Sequence, residues 1–130
     1  MGLADRVLFT GAIDDVRPVL RSCDAFVMSS YSEGMPCALM EAMAMGKAAV
    51  STNVGGVSEV AEHEKHALLV PARSPEALAD ALARLMDEPA LRIELGAAAA
   101  ERIRSDFSHD SMIDRHVDLY ESLLGIGGDA

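Results

Sequence analysis

The chain has 130 residues, of which 50% are apolar and only 4% aromatic, with no Trp and a formal net charge of −10. That length suits one modest domain with a core of Ala, Leu, Val and Met, and it does not accommodate a two-domain enzyme. The acidic balance argues against nucleic acid or an anionic membrane surface as the main partner, and no apolar run approaches the ~20 residues of a membrane-crossing helix.

Short apolar runs alternate with helical segments, the pattern of a parallel α/β sheet. Val7, Leu8 and Phe9 place a first strand at residues 6–10, and Asp14 and Asp15 favour a helix start for residues 14–22. A second strand spans 25–29. A helix over 36–45, with Gly46 suited to its C-cap, leads to a strand over 48–52, a short helix over 57–62 and a fourth strand over 67–70. Three helices close the chain. Ser74 caps and Pro75 opens the first, whose Leu78, Leu82, Leu85 and Met86 form an apolar stripe at helical spacing. Pro89 opens the second, which is Ala-rich. The last runs over 109–124 with Met112, Ile113, Val117, Tyr120 and Leu124 on one side, and the Gly-rich residues 125–130 read as a flexible tail. The expected architecture is a partial Rossmann-like sheet of about four parallel strands with helices on both faces, followed by three C-terminal helices.

The segment from Ser32 to Met43 carries the functional signal. Pro36 fits a first helical position, and Gly34 before it permits a sharp turn or a close approach to a ligand. No capping side chain stands at Met35, so the amides of Cys37, Ala38 and Leu39 are expected to be free, and an uncapped helix N-terminus attracts anions such as phosphate. Glu41 falls inside a helix that is apolar on most of its circumference, where a carboxylate needs a partner. Gly11, Glu33 and the Gly55-Gly56 pair fall in loops beyond the carboxyl ends of strands, where open parallel sheets bind ligands.

These residues resemble a known family. Glu33 and Glu41, in Ser-Glu-Gly-Met-Pro…Glu-Ala-Met-Ala-Met-Gly, match the paired glutamates of the C-terminal domain of GT-B glycosyltransferases, in particular the retaining family 4, often called group 1. The flanking segments at 7–11, 23–30, 49–59 and 67–71 agree in order and spacing. The resemblance implies a donor nucleotide-binding domain, here over residues 1–124 and shortened at its N-terminus, together with a separate acceptor-binding domain. It implies that Glu33 acts at the reaction centre by holding donor-sugar hydroxyls. The amides of Met35, Cys37, Ala38 and Leu39, entered through Gly34 and Pro36, would hold the pyrophosphate. Glu41 would take the ribose hydroxyls, Gly11 would lie against the base, and Gly55 and Gly56 would face the sugar. The substrate is a nucleoside-diphosphate sugar, with no cofactor and no metal. The family's basic phosphate clamp lies on segments before Val7, so the chain alone is expected to bind weakly and not to transfer sugar.

Two other readings share these residues: a non-catalytic nucleotide-binding or assembly module, and a sugar-nucleotide epimerase of related fold. Cys23 and Cys37, without metal-ligand spacing, point to a reducing cytoplasm. Cys37 lacks a His at identifiable spacing and reads as a small hydrophobe. His63, His66, His109 and His116 read as surface or packing residues, and Glu59 as a solvated helical side chain. With strands of the family's sheet absent, an uncovered edge is expected to drive self-association.

Overall fold

The computed structural model of the chain describes residues 2–125. One parallel sheet has the order β1-β2-β3, formed by β1 (Phe26–Met28), β2 (Ala49–Thr52) and β3 (Leu68–Val70). Val27 pairs with Val50, and Ser51 with Leu69. Helix α1 (Arg17–Ser22) precedes the sheet, α2 (Cys37–Ala44) crosses from β1 to β2, and α3 (Val57–Val60) lies between β2 and β3. Helices α4 (Pro75–Asp87), α5 (Pro89–Asp106) and α6 (His109–Leu124) follow.

Successive strand residues point to opposite faces, so the strands feed two cores. On one face Met28, Ala49 and Ala67 pack with Leu39 and Met43 of α2, Val57 and Val60 of α3 and Ala99 of α5. On the other, Val50, Leu68 and Val70 meet Leu85 of α4 and Leu95 of α5. All four β2 residues are buried, as a parallel strand covered on both faces requires. Each fully buried Leu or Val contributes about 1.5–3 kcal/mol, so these two small clusters carry most of the stability.

The sheet has three strands rather than four. Ala4–Arg6 form a single 3-10 turn, and Val7, Leu8 and Phe9 are 52%, 84% and 91% exposed instead of forming a strand over 6–10. β-propensity expresses fit to a half-buried pleated surface, and this segment has no neighbour to supply one. Helix α1 begins at Arg17 rather than at 14, because the Asp15 carboxylate accepts the Arg17 amide at 3.0 Å from outside the helix. Helix α3 stops at Val60, where Ala61 turns extended. The closing helices match expectation, with Ser74 capping α4 and Ser108 capping α6. Yet no residue of α6 is buried, and its stripe of Met112, Ile113, Val117 and Tyr120 stays about half exposed. Of the expected tail, residues 126–130 lie outside the described residues.

Helix α5 passes close against the turn after α2 at Gly96, where a Cβ would stand 2.2 Å from the Gly46 carbonyl oxygen. On an open helix Gly→Ala stabilises by about 1 kcal/mol. Here overlap with backbone outweighs propensity, since overpacking costs about 1–3 kcal/mol. Gly96→Ala is expected to lower the urea midpoint, and a raised midpoint would show that α5 can shift away freely.

Candidate functional site

Three loops meet at the carboxyl end of the sheet. Thr52 Oγ1 donates to the Ser30 carbonyl at 2.6 Å, which lays the loop after β1 over the end of β2. The Asn53 amide donates to the Val70 carbonyl at 2.8 Å and joins the loop after β2 to β3. The Gly56 amide donates to the Glu33 carbonyl at 3.2 Å. This last contact is too close for any side chain: a Cβ on Gly55 would lie 1.8 Å from the Glu33 carbonyl oxygen, and one on Gly56 2.1 Å from that of Gly34. Gly55 and Gly56 therefore hold the Glu33 loop in place, and the Gly56 amide is already used.

Within that loop the Ser30 hydroxyl donates to the Glu33 carboxylate at 2.5 Å, so the half-buried side chain is oriented before any ligand arrives. Pro36 is the N-cap of α2 rather than its first residue. The Cys37 amide, expected to be free, donates to the Met35 carbonyl at 2.9 Å and leaves the anion site to its neighbours. The Ala38 and Leu39 amides have no partner among the described residues, and no side chain caps the helix.

Glu41 is not buried. Cys37, Ala38, Glu41 and Ala44 share an exposed stripe of α2 at helical spacing, while Leu39, Ala42 and Met43 fill the core. The buried arc is narrower than composition implies, because the side facing α1 is a cleft. That cleft, about 430 Å³, is lined by Asp14, Val16, Arg17, Leu20 and Glu41. Its cation is occupied: Arg17 Nε and Nη2 donate to Asp15 at 2.8 and 2.9 Å, and these bonds hold the Asp15 carboxyl below the usual carboxylate range. Glu41 thus faces open space with no donor from the described residues. Gly11 is not brought to this group; it sits in the exposed segment, with nothing within 4 Å of its Cβ direction.

Sequence patterning gave no signal for the loop after β3. Arg73 takes φ +60°, uncommon for a residue with a side chain, and its guanidinium lies 5.7 Å from the centre of the Tyr31 ring. With Ser29, Thr52 and Ser74 they line a cleft of about 270 Å³.

A cleft of about 610 Å³ lies apart from Glu33 and Glu41, between the α3 region and α5. Glu59 lines it, and its carbonyl accepts from Arg102 Nη2 at 3.2 Å. His66 Nδ1 accepts the Glu62 amide at 3.1 Å and His63 Nδ1 accepts the Leu69 amide at 2.9 Å, so both rings serve the backbone as acceptors. In the turn that leads into β3, His66 is buried as a packing residue and His63 is a surface residue. Among the described residues no three His, Cys, Asp or Glu side chains gather as a metal site, and no helix is long and apolar enough to cross a membrane.

Residues 1–88 match the family model described as "Glycosyl transferases group 1". The chain is 37% identical over 121 residues to the lipopolysaccharide core biosynthesis glycosyltransferase LpsD of Rhizobium meliloti (strain 1021), covering 93% of this chain and 35% of that protein. It is 30% identical to N-acetyl-alpha-D-glucosaminyl L-malate synthase of Bacillus anthracis, covering 94% of this chain and 32% of that protein. It therefore spans about a third of the length of these curated relatives. Among solved structures, sucrose-phosphate synthase from Thermosynechococcus elongatus superposes with a TM-score of 0.86 at 32% identity, over 95% of this chain and 31% of that one. The C-terminal domain of a group 1 family glycosyl transferase (LpcC) from Francisella tularensis superposes with a TM-score of 0.74 at 26% identity, over 83% of this chain and 57% of that one.

Burial holds the His66 pKa below the ordinary histidine value of about 6.5, with the Lys65 and Arg102 charges adding and Glu62 opposing. A folded-state pKa below the unfolded one gives a contribution that is complete above about pH 6.5 and lost as pH falls through the folded value. The urea midpoint is expected to fall on acidification from about pH 7 to 5. His66→Asn, whose side-chain oxygen stands in for Nδ1, should flatten that fall; an equal fall in both proteins would remove His66 as its source.

Proposed function

The chain belongs to the group 1 glycosyl transferases, and on that basis we propose that it is the donor-binding part of a retaining enzyme that moves a hexosyl group from a nucleoside diphosphate to an acceptor. The observation that carries the reading is the pre-oriented Glu33 carboxylate beside the uncapped α2 N-terminus at the sheet's carboxyl rim. Glu33 takes donor-sugar hydroxyls. The Ala38 and Leu39 amides, reinforced by the helix dipole, take the diphosphate, and the unpartnered Glu41 takes both ribose hydroxyls, since an ionised carboxylate accepts two O–H donors at once.

Transfer breaks the bond between the anomeric carbon and the phosphate oxygen, and negative charge grows on the departing diphosphate. Amides fixed in advance stabilise that charge more than they stabilise the bound donor, so they lower the barrier without a metal ion. Binding by the 130-residue chain is weak, on the order of millimolar, because the diphosphate is held by two amides and a helix dipole. It performs no transfer by itself. Two free cysteines, one of them exposed, support a reducing cytoplasm as its setting. The unpaired outer edge of β1 and the exposed Val7, Leu8 and Phe9 support association with a second copy, which light scattering at micromolar concentration reads directly and a monodisperse monomer would refute.

Glu41→Gln is expected to weaken nucleoside diphosphate binding about five- to tenfold, as loss of a charge-assisted hydrogen bond does, and Glu33→Gln to leave it nearly as it was. With the sugar conjugate the ranking reverses. Calorimetric titration of both variants with both ligands tests this, and equal losses throughout would overturn the division of labour.

A further inference from the structure

We propose that Arg73, stacked on Tyr31, forms a subsite for an oxyanion, a carboxylate or phosphate, carried at the sugar end of the ligand; this rests on the donor-site reading above. The first reason is the placement of cations. Among the described residues Arg17, Lys65, Arg84, Arg102 and Arg104 are each paired with a carboxylate. Lys47 and Arg92 donate to backbone carbonyls. Four arginines remain: Arg6 in the N-terminal turn, Arg21 in α1, Arg115 in α6 and Arg73. Only Arg73 stands in a loop that follows a strand's carboxyl end. In a chain with 21 acidic and 11 basic residues, a cation left without a carboxylate at the ligand rim is a selective feature.

The second reason is geometry. Arg73 leaves β3 and reaches over the end of β2 to Tyr31, on the loop after β1 that also carries Ser30 and Glu33. Stacking on the ring limits the guanidinium's freedom and leaves its N–H fork available, the arrangement that suits bidentate carboxylate or phosphate. The cleft beneath holds the Ser29 and Ser74 hydroxyls. Ser74 Oγ already accepts the Ala77 amide at 3.4 Å, so its own proton is free to donate. A neutral sugar could accept from these donors, but only an anion also neutralises the guanidinium charge and matches its fork with two acceptor oxygens.

The third reason is direction. Glu41 opens toward α1, off the outer side of β1, whereas Arg73 comes from β3 on the opposite side of the Glu33 loop. A ligand with its ribose at Glu41 and its sugar at Glu33 therefore presents its sugar end to Arg73. The anion belongs either to an acidic donor sugar or to an anionic acceptor.

The test uses the 130-residue chain and follows amide and Arg Nε resonances by NMR. The donor arm compares UDP-glucuronate with UDP-glucose; the acceptor arm compares glucose 6-phosphate with glucose and needs no nucleotide. One arm is expected to show the anionic probe binding about tenfold more tightly, with Arg73→Gln bringing the two affinities together. Arg73→Gly, which suits the positive φ, should lose the preference as well while keeping its melting temperature, which separates the effect from misfolding. Absence of a preference in both arms, or a preference that survives in Arg73→Gln, overturns the subsite when uridine diphosphate binds; when only guanosine or adenosine diphosphate binds, the donor arm is decided with the acidic and neutral sugar conjugates of that nucleotide. If none of the three diphosphates binds, the donor reading itself fails and the acceptor arm alone decides on Arg73.

Discussion

The close contact between the loops after β1 and β2 governs everything functional in this structure. Glu33 and Gly34 present carbonyl oxygens where Gly55 and Gly56 would otherwise carry side chains, and one amide of the pair completes a hydrogen bond across the gap. The ladder between β1 and β2 sets the spacing of the two loops, and the glycines convert that spacing into a fixed backbone path. Glu33 inherits its position from this path, Ser30 sets its orientation, and α2 begins four residues after Glu33 on the same anchored stretch of chain. A carboxylate and an open helix end are thus held in register by close backbone contacts and two side-chain hydroxyls.

Much of this was legible in the residues, and the reasons for success and failure are local. Ser74-Pro75 marks the start of α4 because its capping bond lies within four residues. β2 and β3 are legible because each is a short apolar run in a chain that supplies partners on the correct side. Residues 6–10 have the same composition and no partner, so an identical local signal gives an exposed segment. Strand formation is a property of pairs, and a single stretch of sequence contains only one member.

The site divides in the same way. The uncapped N-terminus of α2 follows from the absence of a Ser, Thr, Asp or Asn near Pro36, though the Cys37 amide is lost to a turn that composition does not specify. Glu41 reads as buried when only its neighbours in sequence are counted. Its exposure depends on how far α1 stands from α2, which no spacing along the chain records. Gly55 and Gly56 look like turn residues, and the contact that requires them comes from a loop some 20 residues earlier. Arg73 carries no local mark, since its meaning depends on Tyr31, more than 40 residues away.

The three-strand sheet has an unequal resistance to opening along its width. β2 is bonded on both sides and buried at every position, whereas β1 is bonded on one side and has Val27 40% exposed. Amide hydrogens of β2 exchange with solvent only when the whole domain unfolds, and those at the rim of β1 exchange through small fluctuations. The loop that bears Glu33 is rooted in β1, the more labile of the two strands it joins. Solvent exchange at the ligand loop therefore runs ahead of global unfolding, and any ligand held by Glu33 slows exchange first at β1.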